Sequence, residues 1–271
     1  RLRTAPVRLN STLTAACVLD VISATAYVTS SSSSATTNVP VISIAQHPEA
    51  AKVIRTAASA AKAPLYMEDE HFHVENIDLS FRRTDFAFCS NRGNLRDLYI
   101  TQPGFHQVHN AGLACMAALV LKEEHIVTGT GIYDGLAGTR ISGRFQRFKR
   151  HDRQWVVDIA HTPESIRTLM RSVRDYYPDK PVTVIFGCSS DKDACAMVKA
   201  IECDLCIFTR ADHPRAIDPK RLHRQAGKEA VIEGSTAEAI KTACIRTSED
   251  SVIIIAGSTF IAAEAIRSLH K

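Results

Sequence analysis

The chain has 271 residues, of which 45% are apolar, a content that supports a hydrophobic core and excludes a disordered protein. The 33 basic and 29 acidic residues give a net charge of +4, and this mild excess without a long basic run does not indicate nucleic-acid binding. No apolar stretch reaches the roughly 18 residues of a membrane span. The eight scattered cysteines favour reduced thiols in a cytoplasmic protein over a disulfide framework.

The first 38 residues do not match the pattern of the rest. Leu13–Val28 is rich in Ala, Thr and Val, and Ser30–Ser34 is a serine run typical of a flexible linker. The following residues predict a short strand at 40–44, an amphipathic helix over Pro48–Lys62 and a second strand at Leu65–Tyr66. Residues 71–103 indicate short β segments separated by polar turns.

Residues 104–121 begin as a loop and continue as a largely buried helix, and residues 123–142, with four glycines, are interpreted as a connector at a domain boundary. After the connector, apolar strands and helices alternate, which predicts a doubly wound, mostly parallel sheet covered on both faces. The predicted strands are 155–158, 182–187, 204–209, 230–233 and 252–257. The predicted helices are 163–176, 192–202, 218–227, 236–246 and 258–270.

The segment from Gly143 to Ser165 predicts a surface loop, a buried strand and then a helix. Asp158 and His161 follow the strand, and ligands of open α/β sheets bind at the carboxyl ends of strands. Thr162 is a plausible N-cap and Pro163 fits the first helical position. We therefore expect free backbone N–H groups beside His161 and an anion site there.

Five short motifs occur in a characteristic order and spacing. They are Gly104–Ala111 (GFHQVHNA), Gly143–Gln146 (GRFQ), Asp158–Pro163 (DIAHTP), Gly187–Asp193 (GCSSDKD) and Asp212–Ala216 (DHPRA), with Ala256-Gly257-Ser258 near the end. In this order they resemble the Mur ligase superfamily, and most closely its folylpolyglutamate synthase/dihydrofolate synthase branch. The sequence His161-Thr162-Pro163 is more similar to the cell-wall peptide ligases, because folate ligases usually have Asn at the position of Thr162. The motifs around Lys192 and His213 favour the folate branch.

The resemblance implies an α/β chain in three parts. Residues 1–38 would be a non-matching segment, residues 39–137 a remnant of the central ATPase domain, and residues 138–271 the Rossmann-like C-terminal glutamate ligase domain. The implied reaction is ATP-dependent: a carboxylate is phosphorylated, and the amino group of glutamate attacks the acyl phosphate to form an amide. ATP, Mg²⁺, glutamate and a folate or dihydropteroate are the implied ligands, and nucleic acid and membranes are not expected partners.

The resemblance also implies roles for individual residues. His161, near the terminal phosphate, and Lys192 would be catalytic. Asn110 would contact adenine or anchor the ATP-side helix, Arg144 would approach the phosphates, and Asp158 would bind the ribose. Asp191, His213 and Ser258 would bind substrate, with Lys192 and His213 bordering the glutamate site.

Structural alternatives stand beside these roles. Asn110 could cap its helix, Arg144 could be a solvated loop residue, and Asp158 and His161 could form a hydrogen-bonded pair. Asp191 could be an N-cap, and Asp212-His213-Pro214 an Asx-type turn. We assign no metal ligand: Cys203 and Cys206 have no second pair with zinc spacing, and solvent exposure of His71 or His73 is expected rather than metal binding.

The Gly-Lys-Ser/Thr phosphate loop of the family does not occur in this sequence, and no lysine precedes Lys52. We therefore expect the tail of a central domain plus a complete C-terminal domain. The chain would then be a fragment, a degenerate gene product, or one half of a split protein whose missing N-terminal half or partner chain carries the phosphate loop and the Mg²⁺ ligands. Three hypotheses follow: a folate ligase, a catalytically silent module that binds nucleotide or glutamate, and a fragment of a cell-wall peptide ligase.

Overall fold

The computed structural model describes residues 39–123, 129–150 and 152–270, so the expectations for residues 1–38 lie outside the described residues. The chain divides into two compact units between Arg140 and Ile141. No helix in the described ranges is both long and apolar enough to cross a membrane.

The described residues of the first unit, 39–123 and 129–140, contain two small sheets. Strands β1 (Val41–Ser43) and β2 (Leu65–Met67) pair in parallel and are connected by helix α1 (Pro48–Ala60), whose first residue is the predicted proline. Strands β3 (Phe72–Leu79), β4 (Thr84–Ser90) and β5 (Leu95–Ile100) form an antiparallel sheet in that order. The predictions of a strand, a helix and short β segments over residues 40–103 are therefore confirmed.

Helix α2 (Phe105–Glu123) packs closely on one face of the antiparallel sheet. A Cβ atom added at Gly112 would lie 2.9 Å from Cγ1 of Val74 on β3, so the absence of a side chain allows this approach. The predicted buried helix is confirmed, and it begins at Phe105 with only a short loop before it.

Residues 123–142 contain the boundary between the two units, but they are not a glycine-rich loop, because Gly129–Gly138 forms helix α3. Glycine disfavours helix by about 1 kcal/mol relative to alanine. Ile132 and Leu136, four residues apart on one face, are each 1% exposed, and their burial offsets that cost.

The second unit is a six-stranded sheet with helices on both faces. Its strands are β6 (Gln146–Arg150), β7 (Arg153–Val157), β8 (Val182–Phe186), β9 (Leu205–Phe208), β10 (Val231–Ile232) and β11 (Val252–Ala256). Its helices are α4 (Pro163–Tyr176), α5 (Ala194–Lys199), α6 (Pro219–Ala226), α7 (Thr236–Arg246) and α8 (Thr259–Leu269). The strand order is β10-β9-β8-β11-β7-β6, and every pair is parallel except β6 with β7.

The sheet separates two apolar cores. Helices α4, α5 and α6 cover the face that carries Val156, Val184 and Ile254. Helices α7 and α8 cover the opposite face, where Trp155 and Ile253 are fully buried. The predicted doubly wound, mostly parallel sheet is confirmed, since continuous apolar strands bury both faces.

The predicted surface loop before β7 is in part a strand, because Gln146–Arg150 forms an antiparallel edge strand with β7. Its sequence, QRFKR, carries three basic residues and only one apolar residue. Charged edge strands limit unwanted pairing with other chains, and the same charges hid the strand from the hydrophobic pattern.

Candidate functional site

A cavity of about 190 Å³ lies at the carboxyl ends of the central parallel strands of the second unit. The chain leaves β8 towards β9, whereas α8, which follows β11, packs back against β7. Neighbouring strands whose connections diverge form the switch point at which α/β proteins bind ligands. The cavity is lined by His161, Ser189, Asp191, Lys192, Arg215, Gly257, Ser258, Thr259 and Phe260.

Three of the lining side chains can carry positive charge. They are the His161 ring after β7, the Lys192 ammonium after β8 and the Arg215 guanidinium after β9. Asp191 is the acidic side chain of the lining, and its Oδ2 lies 3.6 Å from Nζ of Lys192. Because the cations outnumber this carboxylate, the cavity favours an anionic ligand.

The His161 ring is oriented by the backbone. Its Nδ1 lies 3.0 Å from the carbonyl oxygen of Ile159. A carbonyl only accepts hydrogen bonds, so Nδ1 carries the proton in this contact. Nε2 is then the ring atom that can reach a ligand.

Arg215 is positioned by hydrogen bonds between two loops. The backbone N–H of Ser190 donates to the carbonyl of Arg215 at 2.8 Å, and the N–H of Ile217 donates to the carbonyl of Cys188 at 3.0 Å. The loop after β8 is thus attached to the loop after β9, and this attachment holds the guanidinium at the cavity wall.

Phe260 connects Arg215 with His213. The His213 ring stacks on Phe260 with centroids 3.6 Å apart and an angle of 14° between the planes. The guanidinium carbon of Arg215 lies 5.5 Å from the centre of the same ring. Nδ1 of His213 accepts a hydrogen bond from the N–H of Arg215 at 3.2 Å, so His213 supports the cavity wall without being part of its lining.

Two glycines permit the strand ends to meet here. A Cβ atom on Gly187 would lie 2.5 Å from the carbonyl oxygen of Thr209, and one on Gly257 would lie 2.5 Å from the carbonyl oxygen of Gly187. Gly257 also has a φ of 118°, which other residues rarely adopt. A side chain at either position would force the loops apart.

Ser258 lies at the cavity as the N-cap of α8, and its hydroxyl accepts from the N–H of Ile261 at 3.3 Å. The residues at the start of this 11-residue helix, Thr259 and Phe260, also line the cavity. The positive end of the helix dipole is therefore directed at the same space as the side chains of His161, Lys192 and Arg215.

The start of α4 differs from the expectation of free N–H groups. Thr162 and Ser165 form a capping box, in which the Thr162 hydroxyl accepts from the N–H of Ser165 at 3.2 Å. The Ser165 hydroxyl in turn accepts from the N–H groups of His161 and Thr162. These donors are used within the helix terminus, so the anion site depends instead on side chains and on α8.

Asp158 and Arg144 lie outside the cavity lining. The Asp158 carboxylate accepts from the N–H of Phe145 at 2.7 Å and from the N–H of Ala160 at 2.8 Å. Burial raises the pKa of Asp158 above its ordinary value of 3.8, while the two N–H bonds and nearby Arg144 act in the opposite direction. The Asp158 carboxylate therefore bonds to backbone N–H groups and not to His161. Its bond to Phe145 connects the loop before β6 with the end of β7.

The remaining predicted site residues have other local contacts. Asn110 lies inside α2 and donates to the Gln107 side chain at 3.0 Å, so it does not cap that helix. Asp193 rather than Asp191 is the N-cap of α5, since its carboxylate accepts from the N–H of Ala196. Of the eight predicted residues, the cavity brings together four: His161, Asp191, Lys192 and Ser258.

Sequence reasoning assigned no role to Arg215, Phe260 or Ser189, which also line the cavity. Arg215 stands in a recognised motif, directly after His213-Pro214, and its charge was an available signal. Phe260 gave no such signal, because an aromatic residue in the first turn of an apolar helix resembles a core residue.

Comparison with known proteins agrees with this architecture. Residues 143–259 match the family model of the "Mur ligase, glutamate ligase domain". Folylpolyglutamate synthase of Mycobacterium tuberculosis, solved with ADP, superimposes with a TM-score of 0.78 at 22% identity, over 87% of this chain and 57% of that one. The resemblance to the Mur ligase superfamily is therefore confirmed, and the second unit has the fold of its C-terminal domain.

Curated relatives come from both branches of the superfamily. Dihydrofolate synthase/folylpolyglutamate synthase of Bacillus subtilis is 26% identical over 189 residues, which are 68% of this chain and 44% of that protein. A UDP-N-acetylmuramoyl-L-alanyl-D-glutamate--2,6-diaminopimelate ligase of Geobacillus kaustophilus is 36% identical over 114 residues, 38% of this chain and 23% of that one. The chain spans about half the length of the first of these relatives. Together the relatives and structures support an ATP-dependent ligase family of folylpolyglutamate synthase or Mur type.

Proposed function

We propose that the chain is part of an ATP-dependent, amide-forming ligase of the folylpolyglutamate synthase/dihydrofolate synthase type. In this reaction a folate or pteroate carboxylate attacks the γ-phosphorus of ATP, the bond to the β-phosphate oxygen breaks, and an acyl phosphate and ADP result. The neutral amino group of glutamate then attacks the acyl carbon, the bond to the phosphate oxygen breaks, and phosphate leaves while the nitrogen loses a proton. The second unit would provide the binding site for the incoming glutamate and for part of the transferred phosphoryl group.

The cationic cavity at the switch point is the observation that carries the proposal. Its volume of about 190 Å³ is below the roughly 300–1,000 Å³ typical of sites for drug-sized ligands. A space of this size suits an amino acid or a single phosphoryl group rather than a complete nucleotide or folate. Its charge suits the carboxylates of glutamate, which Arg215 could bind through two parallel hydrogen bonds.

The residues of the cavity suit an anion better than a magnesium ion. Mg²⁺ prefers carboxylate oxygens, whereas the cavity presents only Asp191, already beside Lys192 at 3.6 Å. These residues would therefore contribute to anion binding and not to the binding of Mg²⁺. His161, Lys192 and Arg215 would instead stabilise negative charge as it develops on the reacting groups.

The predicted nucleotide contacts of Asn110, Arg144 and Asp158 remain part of this proposal. Support comes from the likeness of the fold to the tuberculosis synthase solved with ADP. Asp158 is committed to two backbone N–H groups. Any contact with a ribose would have to use the remaining lone pairs of its oxygens.

A cell-wall peptide ligase is the second candidate function. It is favoured by Thr162, and the diaminopimelate ligase named above is 36% identical over the shorter matched segment. Both candidates place an amino-acid substrate in the same domain. The identity of that amino acid therefore separates them.

Calorimetric titration of this chain with glutamate, with diaminopimelate and with ADP tests the proposal. We expect glutamate to bind and Arg215→Ala to weaken that binding by about tenfold or more, as for a lost hydrogen bond to a charged group. Arg224→Ala, an exposed arginine on α6, is the matched control and should leave affinity unchanged. Preferential binding of diaminopimelate would instead favour the peptide ligase.

Turnover is measured separately, as glutamate incorporation with ATP, Mg²⁺ and dihydropteroate. Pteroate-dependent incorporation by the chain alone would establish a folate ligase and exclude the silent module. Binding without turnover would favour the silent module. Absence of glutamate, diaminopimelate and nucleotide binding in a folded sample would refute the proposal.

A further inference from the structure

The outer face of the antiparallel sheet in the first unit brings together three side chains that ligate metals. His73 and Cys89 are direct cross-strand partners on β3 and β4, and Glu75 lies two residues after His73 on the same face. The adjacent pair, Val74 and Phe88, points to the other side, where Phe88 is fully buried. Strand alternation therefore fixes the three polar side chains on the outer face.

The ligand atoms are already close to the spacing that a metal requires. Nε2 of His73 lies 3.5 Å from Oε2 of Glu75, and Sγ of Cys89 lies 3.4 Å from Oε1 of Glu75. All three residues offer a ligand atom within 4.8 Å of the others. Tetrahedral zinc with bonds of about 2.0–2.3 Å would place neighbouring ligand atoms roughly 3.3–3.8 Å apart.

We propose that His73, Glu75 and Cys89 form a binding site for a zinc-like divalent transition-metal ion, with water as the fourth ligand. One imidazole, one carboxylate and one thiolate are a donor set that zinc accepts. The carboxylate and the thiolate together balance the two positive charges of the ion. The thiol gives its proton to the solvent when the metal binds.

The surroundings leave room for the ion and its water. The cluster borders a hollow of about 650 Å³, and Glu75 and Cys89 are among its lining residues. The side chains of His73 and Glu75 are 52% and 47% exposed, so an ion can reach them from solvent. Arg83 and Asp85, which also line the hollow, pair with each other at 2.9 Å.

The backbone beside the cluster supports a built site. The register between β3 and β4 shifts between Glu75 and Asp78, and Asn76 has a φ of 54°. Such bulges re-aim side chains and are common beside functional sites. Here the bulge begins directly after Glu75, where it can set the direction of the carboxylate.

The site was not found from the sequence because its sulfur ligand is distant along the chain. His71 and His73 alone suggested only solvent exposure, and Cys89 follows 16 residues after His73. Only the pairing of β3 with β4 brings the thiol next to the imidazole.

Titration of the complete, untagged and reduced chain with Co²⁺, followed by competition with Zn²⁺, tests the inference. We expect one ion per chain at this site, with thiolate-to-cobalt charge-transfer absorption and the visible bands of a four-coordinate ion, both removed by Zn²⁺. Cys89→Ser should abolish the charge-transfer absorption. His73→Gln should weaken affinity by at least about tenfold, since even outer-shell partners of metal sites contribute 10–100-fold.

Cys195→Ser and His47→Gln are the controls, because both residues lie outside the cluster. They should bind Co²⁺ as the unchanged protein does. Circular dichroism establishes that each variant is folded. Binding of Co²⁺ without charge-transfer absorption, equal binding by the Cys89 and His73 variants, or no binding at all would overturn the inference.

Discussion

His109 of helix α2 contacts a carboxylate that is almost completely buried. Its Nδ1 lies 2.5 Å from Oε1 of Glu68, whose side chain is 5% exposed, while the histidine is 34% exposed. The hydrogen bond to Glu68 raises the pKa of His109 above its ordinary value of 6.5, although burial acts against this shift. The pair is strongest when the ring is protonated.

The stability of the protein should therefore depend on pH through His109. A raised folded pKa contributes stability that is fully present below about pH 6.5 and is lost as the pH rises through the raised value. We expect His109→Gln to remove this dependence and to cost about 1 kcal/mol at pH 6, discounted because a third of the ring faces solvent. Urea unfolding across this pH range, with the ring followed by NMR, measures both effects.

His47→Gln serves as the control for this prediction, because His47 is exposed and its side chain makes no capping bond to α1. It should keep the pH dependence of the unchanged protein. An ordinary pKa for His109, or the same slope in His109→Gln, would show that the contact with Glu68 does not control stability.

Asp158 shows which features of the candidate site could be predicted from residue types alone and which could not. Its place at the end of a strand was predicted correctly, as was that of His161. The partners of its carboxylate were not predictable, because Phe145 approaches it only through the hairpin of β6 and β7. The motifs predicted that these residues lie at the carboxyl ends of the strands. The fold determines which of them line the cavity.

At the scale of elements, the ends of β8 and β11 are in close contact through Gly187 and Gly257. We expect Gly187→Ala to destabilise the second unit by about 1–3 kcal/mol, since its Cβ would lie 2.5 Å from the backbone oxygen of Thr209. The protein has a single tryptophan, Trp155, buried on β7. Its fluorescence during urea unfolding reports on this unit.

Gly234→Ala in the same unit is the matched control, since its Cβ would lie 3.1 Å from Oε2 of Glu238, which is the far end of a flexible side chain and not backbone. It should be neutral or slightly stabilising. Unchanged stability in Gly187→Ala would mean that the loop containing Thr209 can move away without a loss of free energy. The contact between the strand ends would then not determine the geometry of the cavity.

Elements were predictable where hydrophobic period and end signals agreed. Helix α4 was predicted at its observed bounds, because proline and a capping threonine mark its start and an amphipathic face follows. Helix α3 and strand β6 were missed for opposite reasons. The glycines of α3 indicated a loop, although the helix buries Ile132 and Leu136. The charged residues of β6 lack the hydrophobic pattern of a strand, although β6 pairs with β7.

On the scale of the whole molecule, the second unit has what an independent domain requires. Its sheet buries apolar residues on both faces, and both cores are built from residues after Ile141. We expect residues 141–271 to fold when expressed alone and to unfold cooperatively with the same Trp155 signal as the complete chain. A fragment with solvent-exposed Trp155 or without dispersed amide resonances would contradict this expectation.

The position of β11 bears on how the protein is made. It is the last of the six strands to leave the ribosome, yet it lies between β7 and β8 and pairs with both. Until residues 252–256 emerge, the strands that precede them lack the neighbour that joins them. We therefore expect β7 and β8 of the nascent second unit to lack their common neighbour until late in its synthesis, when their unpaired edges favour aggregation.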